Sequence, residues 1–489
     1  MVADHDIVIL GAGFGGLGLG ARLKQEGLND FVILEKADDI GGTWRDNIYP
    51  GSACDVESHL YCFDFDLHLG TDRVYARQPE LLAYIKRMAD HAGLGDHIRC
   101  NAEVVAAKWD DTACHWRITL ANGESLTARV FVPAWGQLNR PAIPDFPGQE
   151  TFSGLAFHSA CWPRDLKLDG KRVASIGNAA SAIQYIPEIA PVCSQLTIFQ
   201  RTPNWVVPRG DRTYTPEEMA FFANPEEYRQ DRNRLFAWRE STFEKMVPGS
   251  ADSAELEHIA HAHLKAQVSD PVLRAKLTPD FPMGCKRILR SDDYFPTLMR
   301  DNVTLETAAI EQIDPTGILT ADGRHHDVDV IIYGTGFETQ SFQGKVDIQG
   351  AGGCVLREIW KKGAFAYLGM VVPRFPNFFV LYGPNTNLGH NSILSMMEAQ
   401  FNYIIAAIQD LRTQPGRAID VRVEVARHFD DDLQTQFQGT AWAGSCTSWY
   451  KNAEGRIVNN WSGTVGDYHR AVGHFNQADY EYVSAWEEV

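Results

Sequence analysis

The strongest constraint on this chain lies near its start. Residues Asp6 to Leu10 (DIVIL) form a short, mostly branched apolar run, the mark of a strand buried on both faces of a parallel sheet. Gly11-Ala12-Gly13-Phe14-Gly15-Gly16 follows at once, then a helical stretch to about Glu26. A second apolar strand, Phe31 to Leu34, ends in Glu35, 19 residues after Gly16. Such a glycine spacing is weak by itself, but with strand, helix, strand and terminal acid in this order it completes the βαβ fingerprint of a dinucleotide site. Gly11 allows the tight turn, Gly13 lets the backbone approach a pyrophosphate, Gly16 lets helix and strand pack closely, and Glu35 accepts hydrogen bonds from ribose hydroxyls. That carboxylate disfavours a 2'-phosphate, so this site suits FAD or NAD rather than NADP.

A second unit of the same kind starts with the strand Arg172 to Ile176. It turns at Gly177-Asn178-Ala179-Ala180-Ser181-Ala182 and returns to a strand at Gln195 to Phe199. This strand runs into Gln200-Arg201-Thr202, and a guanidinium there suits a 2'-phosphate through paired, charge-assisted bonds, which points to NADPH. Ala179 stands where a middle glycine is usual, and its Cβ keeps the backbone slightly farther from the pyrophosphate. Two such units imply an α/β fold with two Rossmann-like domains, as expected for 489 residues, since single cores stop growing at roughly 250 to 300.

Other classes are disfavoured. With 45 Lys and Arg against 63 Asp and Glu the net charge is -18, a surface that repels nucleic acid and anionic lipid. The nine cysteines are scattered without a C-x-x-C pair, which suggests neither a disulfide framework nor a zinc ribbon and predicts reduced thiols. His258, His261, His263 and the pair His325-His326 lack the i, i+4 spacing of a zinc site and read as solvated polar faces, so no metal is expected. The N-terminus lacks a basic leader and the first apolar run is too short to span a membrane, so a soluble cytoplasmic enzyme is expected.

Upstream of the second unit, Phe152-Ser153-Gly154-Leu155-Ala156-Phe157-His158-Ser159-Ala160-Cys161-Trp162-Pro163 matches the F-x-G-x-x-x-H-x-x-x-W-P signature of type I Baeyer-Villiger monooxygenases, within the flavin-containing monooxygenase superfamily, at every fixed position. A second signature of that family is met by Gly41-Gly42-Thr43-Trp44, Tyr49-Pro50-Gly51 and Asp55. The segments Tyr333-Gly334-Thr335-Gly336-Phe337, Gly383-Pro384-Asn385-Thr386-Asn387 and Ser448-Trp449-Tyr450 also resemble it.

The resemblance implies FAD in the first site and NADPH in the second. It also implies conversion of a small-molecule ketone to an ester or lactone with O2, through a flavin C4a-peroxide. A nucleophilic peroxide and its adduct need a fixed cation, worth roughly 3 to 4 kcal/mol of barrier. By resemblance this is Arg287 of the Gly284-Cys285-Lys286-Arg287 segment, held by Asp55, while Lys286 assists the 2'-phosphate. The cofactor-binding residues would be Gly11, Gly13, Gly16, Glu35, Thr43, Trp44, Asp55, Gly177, Ser181, Arg201, Thr202, Lys286 and Trp449. Trp449 resembles the tryptophan of a segment that closes on the nicotinamide ribose, and His158 and Trp162 are read as structural.

The implied domains are residues 1–148 with 343–489 for FAD, and 149–342 for NADPH with a helical insertion at about 215–277. The competing readings are an N- or S-oxygenating flavin monooxygenase, a flavin disulfide reductase without the thiol pair it needs, and a nucleotide sensor without turnover.

Overall fold

Each glycine turn forms the carboxyl edge of a parallel strand cluster. The structure is a computed structural model that describes residues 3–484 apart from 69, 445 and 447. The larger sheet runs Asp347–Gln349, Val104–Asp110, His115–Leu120, Ser125–Pro133, His5–Leu10, Phe31–Leu34, Ile98–Arg99. His5–Leu10 is parallel to both neighbours, while the strands from Val104 to Pro133 form an antiparallel meander. Ile7, Val8 and Ile9 are wholly buried, which is why this strand carries an unbroken apolar run instead of alternation.

The second sheet is parallel throughout, in the order Val303–Glu306, Gln195–Phe199, Arg172–Ile176, Val330–Tyr333, Leu155–His158. The sequence places its strands at 172–176 and 195–199 as observed. The strand Val330–Tyr333, which leads into the Tyr333–Phe337 segment, starts where its pairing with Leu155 and Val173 starts.

In the chain between the short strands Val206–Val207 and Leu289–Arg290 lie the helices Pro216–Phe222, Pro225–Ser241, Ala251–Gln267 and Pro271–Leu277. Each is started by a side chain, Thr215, Asn224, Ser250 or Asp270, that accepts a backbone N–H of the first turn. After them Leu289–Arg290 pairs in parallel with Val206–Val207, which fixes the position of the residues just before Leu289. Among the described residues, no helix is long and apolar enough to cross a membrane.

Cysteine usage departs from the sequence expectation. Cys285 and Cys446, 161 residues apart, are joined as a disulfide with a Cα–Cα distance of 6.4 Å, and the other seven are free. A pairing made by tertiary folding over that separation leaves no spacing signal in the sequence. Two histidines also differ from the solvated reading. His263 Nε2 lies 2.9 Å from the Ser291 carbonyl, and His326 lies 3.4 Å from the buried carboxylate of Glu306.

Candidate active site

One cavity of about 1830 Å³ takes in both glycine turns. Pockets for a single small ligand are roughly 300 to 1,000 Å³. Gly11, Gly13, Glu35, Thr43, Trp44, Asp55, Gly177, Ser181, Arg201, Thr202, Lys286, Arg287 and Trp449 all line it. Gly16 alone does not. It lies behind the turn, where an added Cβ would come 1.9 Å from the Gly11 carbonyl oxygen, so its part is close packing.

At the first turn Gly11 has φ +106° and Gly13 is the N-cap of the helix Phe14–Gln25, without a side-chain cap. A Cβ built on Gly13 would meet nothing nearer than Gly42 Cα at 3.7 Å. The protein itself therefore makes no steric demand for glycine there, as expected of a cradle kept open for a ligand beside free helix N–H groups. Glu35 is 5% exposed and already engaged. It accepts from Ala12 N–H at 2.9 Å and Ala37 N–H at 3.0 Å, and it pairs with Arg45 at 3.1 Å.

At the second turn Gly177 has φ +103°. Arg201 is exposed at the end of its strand, and Lys286 Nζ donates to Thr202 Oγ1 at 2.8 Å. Burial and then the neighbouring Arg201 charge push the Lys286 pKa down, with Asp280 compensating only in part. Two cations and a hydroxyl facing one space form a site for a phosphate.

Between the turns, Arg287 Nε donates to Asp55 at 3.0 Å, and Nη2 donates to the same oxygen. About a third of each side chain is exposed, into the cavity. Burial alone would raise the Asp55 pKa. The charge and hydrogen bonds of Arg287, with Arg239 and Arg290 behind it, overcome this and hold it at about 2. Arg287 is in turn stabilised as a cation by Asp55. Tyr382 and Tyr450 also bear on Arg287. Burial pushes the Tyr450 hydroxyl up to about 12, so it stays protonated.

The Asp55 loop is clamped by the second nucleotide unit. Gln184 accepts from Tyr49 Oη at 3.1 Å and donates to the Ala53 carbonyl at 2.9 Å. Gly51, at φ +76°, lies so close that a Cβ would be 2.5 Å from the Gln184 carbonyl oxygen. Arg209 holds the Cys54 carbonyl at 2.9 Å, and Arg239, paired with the buried Glu57 at 2.7 Å, donates to the Asp55 carbonyl at 3.1 Å. The Tyr49-Pro50-Gly51 motif thus joins the two units. Sequence reasoning missed Gln184, Arg239 and Glu57. Their only signal is a charge or an amide group in segments, two helical and one a loop, that otherwise read as solvent-facing.

Two other motifs meet each other. His158, 2% exposed, accepts from Ala160 N–H through Nδ1 at 3.1 Å, which places its proton on Nε2, donated to the Gly336 carbonyl at 2.9 Å. Burial lowers its pKa and keeps it neutral. Phe337 lies edge-on to the same ring, and Trp162 packs edge-on to Phe157. Asn385 donates to the Ile457 and Asn460 carbonyls, so the Gly383–Asn387 segment pins the C-terminal strip. Trp449 is half-buried, its ring 4.6 Å from that of Tyr450 and its carbonyl held by Asn459.

Trp135 Nε1, Gln137 Oε1 and both amide atoms of Gln343, all on the cavity wall, are buried without a hydrogen-bond partner among the described residues. Each such group costs about 1–3 kcal/mol, so a polar ligand along this wall would relieve them. Together with the open Gly13 cradle and the Arg201–Lys286 pair, the residues fit two dinucleotides.

The flavin-binding monooxygenase-like family matches residues 4–344. A Baeyer-Villiger monooxygenase of Streptomyces coelicolor is 41% identical, covering 98% of this chain and 94% of the relative. One of Pseudomonas aeruginosa is 38% identical, covering 97% and 90%. Among solved structures, an oxidised steroid monooxygenase bound to NADP aligns at TM-score 0.87 and 30% identity, over 98% of this chain and 99% of that one. A closed cyclohexanone monooxygenase aligns at TM-score 0.88 and 28% identity, over 98% and 99%. The chain therefore belongs to the flavin-binding monooxygenase-like family, in its Baeyer-Villiger branch.

Proposed function

We propose that this enzyme inserts one atom of dioxygen beside the carbonyl of a small-molecule ketone, giving an ester or lactone, with FAD as cofactor and NADPH as reductant. Residues 1–148 and 343–489 would hold FAD and residues 149–342 NADPH. The cytoplasm, which keeps NADPH reduced, is the proposed site of action. The observation that carries the reading is the Asp55–Arg287 pair, a fixed cation in the one cavity that both glycine turns share.

FAD, when bound and reduced, supplies the activation of dioxygen. Arg287 keeps its proton at every relevant pH and stabilises negative charge that develops on the carbonyl oxygen, a contribution of roughly 3 to 4 kcal/mol. Asp55, ionised, orients the guanidinium and is no proton donor. Gly11 and Gly13 receive the FAD pyrophosphate, Glu35 its ribose, and Thr43, Trp44 and Asp55 border the flavin. Gly177 and Ser181 receive NADPH, Arg201, Thr202 and Lys286 hold its 2'-phosphate, and Trp449 covers the nicotinamide side and keeps water out.

The test is product analysis with linear, cyclic and aromatic ketones and a thioether, using NADPH and labelled dioxygen. An ester or lactone carrying one labelled oxygen is expected. Sulfoxide as the only product would transfer the reading to heteroatom oxygenation.

A further inference from the structure

Cys285 directly precedes Lys286 and Arg287, and Cys446 stands three residues before Trp449. The two are joined with their Cα atoms 6.4 Å apart, a span that a disulfide bridges without backbone movement. The bond links two walls of the same cavity, one carrying Lys286 and Arg287 and the other Ser448 and Trp449. The two walls also approach each other on either side of the bond. A Cβ on Gly284 would lie 3.4 Å from that of Ala441, and one on Gly444 would lie 3.8 Å from the Cys285 sulfur. Cys285 is wholly buried and Cys446 half-buried, so an oxidant reaches the pair through Cys446. Cys62 and Cys54 are buried thiols whose pKa values burial pushes up, that of Cys62 to about 12, which keeps them inert.

We propose that Cys285 and Cys446 form a reversible, peroxide-responsive dithiol site, whose oxidation ties the Lys286–Arg287 turn to the Trp449 segment and slows exchange of the nicotinamide nucleotide. The inference rests on the reading above for what the two walls hold. The oxidant is hydrogen peroxide, the product of dioxygen reduction that is not coupled to substrate. The Cys446 sulfur attacks one peroxide oxygen and the O–O bond breaks. One hydroxyl stays on sulfur as the sulfenic acid, and the other leaves with the thiol proton as water. The Cys285 sulfur then displaces the sulfenic hydroxyl, which leaves with the second thiol proton as water, and the S–S bond forms. Two thiols lose two electrons and two protons, and one peroxide becomes two waters. A dithiol reductant reverses the step by exchange. Sequence offers no hint of the site, since the partners are held together only by the fold.

The test uses the FAD-loaded enzyme, first reduced with dithiothreitol and then treated with hydrogen peroxide. It reads the Cys285–Cys446 linkage by non-reducing peptide mapping and NADP+ release by stopped flow. Peroxide should produce the linked peptide and slow release by roughly five-fold or more, and dithiothreitol should restore it. Cys446→Ser, with Cys446→Ala as a second variant, should form no link and show no slowing, with turnover as in the reduced wild type. Failure to form the linked peptide, a link without slower release, or equal slowing in the Cys446 variants would each overturn the proposal. Ketone turnover by the reduced enzyme reports separately on the reading it rests on, because linkage and release are measured without ketone.

Discussion

Gly11 and Gly177 close the same kind of turn. Their φ angles are +106° and +103°, and at each an added Cβ would strike a carbonyl oxygen, that of Ala134 at 2.7 Å and that of Gly334 at 2.4 Å. What surrounds them differs. Glu35 at the first turn is buried and tied to two backbone N–H groups and to Arg45, so its oxygens stand in place before any ligand arrives. Arg201 at the second turn is exposed, and Lys286 beside it carries a pKa depressed by burial and by Arg201 itself. One end of the cavity is preorganised, and the other brings two like charges, Arg201 and Lys286, close to each other. Preorganisation lowers the ordering cost of binding and favours slow release. Like charges brought together leave part of the binding energy to be recovered by the ligand's phosphate, which suits a nucleotide that enters and leaves in every cycle. The contrast matches a resident FAD and an exchanging NADPH.

Exchanging the two charges for neutral amides is the sharpest way to break this comparison, and it should give the largest effects. Glu35→Gln leaves Arg45, whose side chain is 11% exposed, with Asp46 as its remaining carboxylate. Breaking a buried pair costs roughly 3–5 kcal/mol, so this variant should purify largely without FAD. Arg201→Gln removes a charge-assisted contact of roughly 1.5–3 kcal/mol, so KM for NADPH should rise about 10- to 100-fold while flavin per chain stays at the wild-type level. Flavin absorbance and NADPH titration check both. The comparison fails if Arg201→Gln strips FAD, or if Glu35→Gln keeps it.

The effect of pH should be smaller and confined to one end. The Lys286 pKa lies below the ordinary 10.5, so its positive charge is complete at low pH and is lost as pH rises through the lowered value. KM for NADPH should therefore climb as the medium is taken from neutrality to about pH 10, earlier than an ordinary lysine would allow. FAD retention should stay flat over the same range. Lys286→Arg, whose guanidinium does not titrate there, should abolish the climb. A climb that persists in that variant would assign the titration to another group.

The contrast between the turns was partly legible before the fold was known, because it is written in local order. A branched apolar run, a glycine turn and the residue that ends the next strand all lie within about 30 residues, and backbone sterics and side-chain period act at that range. Arg287 and Asp55 are different. They stand 232 residues apart, and only the family resemblance brought them together in advance of the 3.0 Å contact. Gln184, Arg239 and Glu57 had no such help. Each lies where a polar residue reads as solvent-facing, and each is made structural by a partner from a distant segment. The disulfide between Cys285 and Cys446 overturned the expectation of reduced thiols for the same reason. A pairing that arises from how two sheets and a C-terminal strip pack carries no periodicity to read.

Ala179 provides the finest test. It is exposed toward the cavity at the place where Gly13 sits in the first turn, and its carbonyl accepts Ile183 N–H at 3.0 Å as the following helix begins. At Gly13 the nearest atom to a built Cβ is 3.7 Å away, so glycine there serves the ligand rather than the fold. Under the proposed reading, the Ala179 methyl group keeps the backbone slightly farther from the NADPH pyrophosphate, as a site of repeated exchange would. Ala179→Gly should bring the backbone nearer and lower the Kd for NADP+, opposed by up to about 1 kcal/mol of lost helix propensity at a position that is only the edge of the helix. The net change should be a two- to three-fold tightening, since it involves only about 0.5 kcal/mol. Slower NADP+ release in stopped flow, with FAD content untouched, would extend the comparison to the backbone. Weaker binding would mean that the Ala179 methyl group packs on the nucleotide, and that the two ends of the cavity differ in their charges alone.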